Sequence, residues 1–201
     1  MMRYGPGVAL LVVDVQNDFM DPRGTLAVAG ATSIVPVINR EIALARASGS
    51  LVACSQDWHP ERTPHFARDG GKWPAHCVRD TWGAEFYVTV DIPVGIAVIR
   101  KGTNGEDGYS AFSMRDADTG ATIPTPLGML FDEAGIDTVV VVGVATDYCV
   151  KASALDSIEL GYSTTVLTDA VAAVNVAPGD GEKALAELTA AGVIISRAAD
   201  A

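Results

Sequence analysis

Thr138-Val139-Val140-Val141-Val142 is an unbroken run of β-branched residues. Gly143-Val144-Ala145-Thr146-Asp147-Tyr148-Cys149-Val150 carries it directly into a segment of helical period. Branching at Cβ crowds a helix and suits a pleated surface, so residues 138–142 read as a strand. The lack of polar alternation says that both faces of that strand are covered. Residues 150–160 read as a helix stopped by Gly161.

The same strand-and-helix alternation extends in both directions. Residues 8–13 read as a buried strand. Residues 34–47 place Ile34, Val37, Ile38, Ile42 and Ala45 at helical spacing, with Ser33 as the cap and Gly49 past the end. Strands are expected at 51–54, at 97–99 after Pro93 and Gly95, at 164–167 and at 193–195. Helices are expected at 127–134, ending at Gly135, and near 182–190. Six buried strands separated by helices predict an α/β fold, a three-layer α-β-α arrangement around a mostly parallel six-stranded sheet. The length fits a single domain over 1–201. An excursion at about 56–91, rich in Pro, Gly and charge, interrupts the rhythm; a segment of that kind in a small domain is usually functional.

The net charge of −11 repels phosphate backbones, which argues against nucleic acid as a partner. A hydrophobic content of 49% supports a sizeable core and excludes disorder. The cysteines Cys54, Cys77 and Cys149 are odd in number and lack C-x-x-C spacing, so no disulfide framework is expected. The apolar run 7–13 leads into Asp14, Gln16, Asn17 and Asp18 without a small-residue cleavage pattern, and no run reaches the length of a membrane span. The expectation is a soluble cytoplasmic protein, with assembly into a homo-oligomer left open.

All three histidines, His59, His65 and His76, fall inside the excursion, and Asp57 stands two residues before the first. Scattered histidines are ordinary core or surface residues. Three of them with a carboxylate in one loop-like stretch favour a site for a divalent metal such as Zn, Fe or Mn. In open α/β sheets ligands bind beyond the carboxyl ends of the strands. Asp14, Asp57, Lys101 and Cys149 all follow expected strands, so they converge on one edge. Taken singly, Asp14 reads as a turn residue, Lys101 as a solvated cation and Cys149 as a small buried hydrophobe. Their shared position favours chemistry. Cys149 at a helix start, with Lys101 nearby, is expected to gain thiolate character, with Asp14 taking the proton. Cys54 and Cys77 lack that setting and read as structural. A dinucleotide-binding fingerprint is absent, because Asp14-Val15-Gln16-Asn17 stands where G-x-G-x-x-G would be.

Asp14, Lys101 and Cys149 together resemble the catalytic triad of the isochorismatase-like cysteine hydrolases. Within them the chain is similar to the nicotinamidases, also called pyrazinamidases. The matching segments are Val13-Asp14-Val15-Gln16-Asn17-Asp18-Phe19, Asp57-Trp58-His59-Pro60, Trp73-Pro74-Ala75-His76-Cys77-Val78, Thr81-Trp82-Gly83-Ala84-Glu85, Lys101-Gly102 and Gly143 to Val150. The triad marks the superfamily; the metal loop with Trp-Pro-x-His-Cys-Val marks the nicotinamidases.

The resemblance implies hydrolysis of nicotinamide to nicotinate and ammonia through a thioester, with pyrazinamide as a further substrate and a place in NAD salvage. It implies one divalent metal, zinc first and iron or manganese next, on Asp57, His59 and His76. His65 matches a ligand of some members only; many have Ser there and a His two residues earlier, where this chain has Thr63. Phe19, Trp73 and Tyr109 match pyridine-pocket residues, and Val144-Ala145 matches a cis peptide beside the nucleophile. The N–H groups of Ala145 and Cys149 would form the oxyanion hole. Tyr148 replaces a His found in some members. The alternatives are an amidase for another small carboxamide or carbamoyl compound, and a non-enzymatic metal-binding or redox-sensing α/β protein.

Overall fold

The computed structural model describes residues 4–198. Its centre is β1 (Val8–Val13), flanked by β2 (Leu51–Asp57) on one side and β6 (Thr138–Val144) on the other. Adding β3 (Ala97–Lys101), β7 (Ser163–Ala172) and β8 (Ile194–Ser196) gives a six-stranded sheet in the order β3-β2-β1-β6-β7-β8. Every pair in it is parallel, so the expected mostly parallel sheet is parallel throughout. The strands step outward from β1 to β3 and then cross back to β6. The crevice between β1 and β6 is therefore the switch point at which α/β sheets bind ligands.

Period-two alternation divides the core. Leu10, Val12, Val140 and Val142 face α2 (Ala31–Ala47), meeting Ile34, Ile38 and Ile42. Ala9, Leu11, Val139 and Val141 face the opposite layer. That layer contains α3 (Pro126–Glu133), α4 (Lys151–Glu159) and α5 (Asp180–Ala191). Burying each Val or Leu contributes about 1.5–3 kcal/mol, so the sheet is a stiff platform for its own strand ends. Among the described residues no helix is long and apolar enough to cross a membrane.

Helix α2 begins at Ala31, earlier than expected, and Ser33 is not its cap. Gly30, in the left-handed region at φ 78°, occupies that position, and the Ser33 hydroxyl donates to the Gly30 carbonyl at 2.7 Å. Strands β2, β3 and β6 run past their expected ends, so Asp57 and Lys101 are the last residues of their strands. The short helix α1 (Asn17–Met20) and the hairpin of β4 (Ser113–Arg115) and β5 (Thr122–Pro124) were not anticipated. The segment after β2 has no strand of its own. It is stitched down by bridges between His59 and Val78, Phe66 and Trp73, and Gln16 and Phe86.

Candidate active site

Four neighbouring strands deliver the polar groups to one place. Asp14 follows β1 with φ 49°, Asp57 ends β2, Lys101 ends β3, and β6 leads through Ala145 to Cys149. Parallel register pairs Asp57 with Lys101, which sets both at the same height. Gly143, at φ 112°, allows β6 to approach β1: a Cβ there would collide with the Val13 carbonyl oxygen. The Val144–Ala145 peptide is cis, in agreement with the resemblance. A π-helical turn, Thr146–Val150, carries Cys149 where the sequence suggested an ordinary helix start. The Tyr148 and Val150 N–H groups both donate to the Ala145 carbonyl. The buried Asp147 carboxylate anchors the turn by accepting from Val174 N–H at 2.9 Å and Asn175 N–H at 2.8 Å.

Lys101 is the hub. Its ammonium lies 2.8 Å from Asp14 Oδ2, 2.9 Å from Asp57 Oδ1, 3.1 Å from the Tyr109 carbonyl and 3.6 Å from Cys149 Sγ. Burial alone would strip its proton, but the two carboxylates hold its pKa well above the ordinary lysine value. Asp57 is buried as well, yet Lys101 and the His59 and His76 rings keep it ionised, well below the usual carboxylate range. Asp14 moves the other way: burial, reinforced by the Asp57 charge, raises it despite Lys101. Ser55, two residues before Asp57 on β2, donates to Asp14 Oδ1 at 2.6 Å. Gln16 grips the Asp57 main chain from both sides, its amide donating to the carbonyl at 2.7 Å and its oxygen accepting the N–H at 2.8 Å.

The expected thiolate character of Cys149 is not what the site produces at rest. Burial, together with Asp14 and Asp57, lifts the thiol well above its ordinary pKa, and Lys101 opposes only part of this. Two carboxylates against one ammonium in a dry site favour the neutral thiol. A raised Asp14 suits a proton carrier, since a carboxyl that holds its proton can also deliver it.

His59, His65 and His76 bring one ring nitrogen each to within 4.8 Å of the others. Asp57 Oδ2 lies 3.7 Å from His59 Nε2 and 3.8 Å from His76 Nε2. The Nδ1 atoms of His76 and His65 are taken by the Pro74 carbonyl at 2.8 Å and Asp107 Oδ1 at 2.7 Å, which leaves Nε2 of each as the nitrogen that could ligate an ion. Both ring nitrogens of His59 are buried without a hydrogen-bond partner. An unsatisfied buried polar group costs about 1–3 kcal/mol, a cost that metal coordination removes. Burial also keeps the His59 imidazole neutral, the form that ligates. Gly102 at φ 71° packs against that ring; a Cβ there would lie 2.5 Å from His59 Nδ1. Three imidazoles and a carboxylate fit one divalent first-row ion.

Cys149 of the first group and Asp57 and His76 of the second open into one pocket. Phe19, Trp73 and Tyr109 line it, together with Asp57, His76, Ala145 and Cys149. Trp73 Nε1 donates to Tyr109 Oη at 3.0 Å, so the aromatic wall is polar-satisfied. Val144 instead turns into the core on the α2 face. Leu26, Tyr148 and Val174 also line the pocket. Nothing in the local sequence marks Leu26 or Val174, because only the tertiary fold brings them there. Cys54 and Cys77 are fully buried and outside this pocket, and burial raises both thiols, Cys54 to about 12.

The family model described as the isochorismatase domain matches residues 8–200. The chain is 39% identical to the nicotinamidase of Escherichia coli (strain K12) over 211 residues, 97% of each protein. It is 39% identical to the pyrazinamidase of Pyrococcus horikoshii, whose crystal structure is in complex with zinc. That likeness has a TM-score of 0.85 and covers 96% of this chain and 99% of the other. A crystal structure from L. infantum in complex with nicotinate has a TM-score of 0.88 at 34% identity, covering 99% and 98%. These matches run along nearly the whole length of each protein, and the chain belongs to the isochorismatase domain family, alongside its nicotinamidases.

Proposed function

We propose that this protein, acting as one domain over 1–201, hydrolyses nicotinamide to nicotinate and ammonia through a thioester on Cys149, and accepts pyrazinamide. One observation carries the reading. Cys149 and the ligand candidates Asp57 and His76 line a single aromatic pocket. A nucleophile for a carboxamide carbon and a cation site for a ring nitrogen therefore serve the same small molecule. The activity in the name of the E. coli relative and the nicotinate in the L. infantum complex support it.

The Cys149 thiol passes its proton to Asp14 as its sulfur attacks the carboxamide carbon. Lys101, 3.6 Å from Sγ, offsets the charge that grows on sulfur. The N–H groups of Ala145 and Cys149 receive the oxyanion; one such donor is typically worth about 3 kcal/mol. Asp14 then protonates the departing nitrogen, the C–N bond breaks, and ammonia leaves a thioester. Water gives a proton to Asp14 and attacks the thioester. Collapse releases the acid, and the sulfur regains its proton.

Asp57, His59 and His76, with His65, would hold the divalent ion, zinc first and iron or manganese next, and the ion supplies a Lewis-acid anchor for the pyridine nitrogen. The zinc in the P. horikoshii structure supports that choice. The reading includes a role in NAD salvage and a cytoplasmic setting. The free thiols of Cys54, Cys77 and Cys149 suit a reducing compartment.

The test is ammonia release from nicotinamide, pyrazinamide, benzamide and an N-carbamoyl compound by metal-loaded and chelated protein. Nicotinamide and pyrazinamide should turn over with metal present. Benzamide, without the ring nitrogen, should be poor. Turnover of the carbamoyl compound with none of nicotinamide would overturn the assignment.

A further inference from the structure

We propose that Asp107 is the positioning residue that makes His65 a ligand of the metal site in this chain. Its carboxylate accepts the Nδ1 proton of His65 and commits Nε2 to the ion. This rests on the metal reading above and extends it to a residue outside the ligand set.

The three histidines are oriented by different means. His76 is fixed by the Pro74 carbonyl, two residues away on its own loop. His59 is held by main-chain bridging to Val78 and by Gly102 against its ring. His65 alone takes its orientation from a carboxylate on a distant segment, across 2.7 Å. The His65 ring also stacks on His59 at 4.9 Å between centroids, so a change in its tilt is felt by the second imidazole.

Asp107 is built to hold still. Its N–H donates to the Arg115 carbonyl at 2.8 Å and its carbonyl accepts the Arg115 N–H at 2.6 Å, a two-way clasp onto β4. The same Oδ1 that meets His65 accepts the Gly108 N–H at 2.8 Å. A carboxylate pinned in this way fixes the histidine tautomer and raises the basicity of the nitrogen facing the metal. Removing such an orienting group typically weakens metal affinity by about 10- to 100-fold. The hairpin of β4 and β5, otherwise remote from the chemistry, thereby acquires a role in the metal site.

Zinc affinity of the full-length protein is measured by competition with a chromogenic chelator. The set is wild type, Asp107→Ala, Asp107→Asn, His65→Ala and the His65→Ala, Asp107→Ala double variant, with thermal melting of each metal-free protein alongside. Asp107→Ala should lose about 10- to 100-fold in affinity with little change in melting. Asp107→Asn, whose side-chain oxygen still accepts from Nδ1, should lose less. In the His65→Ala background the Asp107 change should have no further effect. Wild-type affinity in Asp107→Ala, or the same loss with His65 already gone, would overturn the inference and leave the metal site standing. Failure of the wild-type protein to bind zinc would remove the metal site and this inference with it. Should Asp107→Ala not fold, Asp107→Leu, which fills the same space without an acceptor, and its double variant with His65→Ala decide: a loss that vanishes in the His65→Ala background supports the inference, and unchanged affinity overturns it.

Discussion

Asp14, Lys101 and the turn before Cys149 hang from the ends of parallel strands, whereas His59, His65 and His76 ride on a segment with no strand of its own. The first group inherits its geometry from the sheet, where register and core packing set where each strand stops. The second depends on individual contacts: a glycine against a ring, a main-chain bridge, a carbonyl and a carboxylate on two Nδ1 atoms. The sheet-borne half should therefore tolerate single changes without moving, so that its variants report on chemistry alone. The loop-borne half should lose affinity in graded steps. Asp57 belongs to both halves, as the last residue of β2 and as the carboxylate facing two imidazoles, and the Gln16 clamp holds it at that junction.

The largest effect should come from removing the sulfur. Cys149→Ala is expected to abolish amide hydrolysis with zinc content and melting temperature near wild type, because the π-helical turn is held by Ala145 and Asp147 rather than by the thiol. Mass spectrometry of quenched wild-type enzyme should find the acyl group on Cys149. An adduct on Cys54 or Cys77, or an active Cys149→Ala protein, would dismiss the nucleophile. Next is Asp14→Asn, which keeps the shape but cannot carry a proton. A loss of about 10²- to 10⁴-fold in kcat is expected, the usual reach of a positioned acid–base group. Near-normal turnover would place the proton transfer elsewhere.

The loop-borne half should answer in metal content. His59→Ala and His76→Ala are expected to lose bound zinc, read by plasma mass spectrometry, while their metal-free folds persist. Full occupancy in either would dissolve the site. Gly102→Ala tests the support rather than the ligand. A methyl group there meets the His59 ring, and φ 71° is already costly for any residue with a Cβ. Zinc affinity should fall by about 10-fold, as for other disturbed supports of a ligand. Unchanged affinity would mean that His59 is oriented by something other than this contact.

The same division explains what the sequence made legible. Val139 to Val142, Asp14, Lys101 and Cys149 are visible because strand burial and strand ends leave short-range patterns. The three histidines are visible because they crowd into one stretch. Asp107, Ser55, Leu26 and Val174 were not, since each reaches the site from a segment whose local pattern says nothing of it. The hairpin of β4 and β5 is too short to leave a period. The resting state of Cys149 is not legible in the sequence, because it depends on burial and on how many charges surround the thiol in space. Burial decides the outcome, and the Asp14 and Asp57 carboxylates add to it against the helix start and the one lysine.

Ser55 offers the finest test of the sheet-borne half, because it touches the chemistry through one hydrogen bond. Its hydroxyl donates to Asp14 Oδ1 at 2.6 Å and stabilises the ionised carboxylate, opposing the rise that burial imposes. Asp14 must be ionised in the free enzyme to accept the thiol proton. The acid limb of kcat/KM therefore follows its pKa, with activity lost as pH falls through it. Ser55→Ala removes a group that favours the charged form, so the Asp14 pKa rises further and the acid limb moves to higher pH. Lys101 titrates far above this range and should leave the alkaline side unmoved. At a pH well above the limb the rate should fall by less than about 10-fold, the worth of one hydrogen bond of about 1 kcal/mol. Ser55→Thr, which keeps the hydroxyl, should restore the wild-type limb. A limb that stays put in Ser55→Ala would mean that the acid side of the profile reports some group other than Asp14. The neighbouring carboxylate, Asp57, would then be the first to examine, since it lies against the same ammonium.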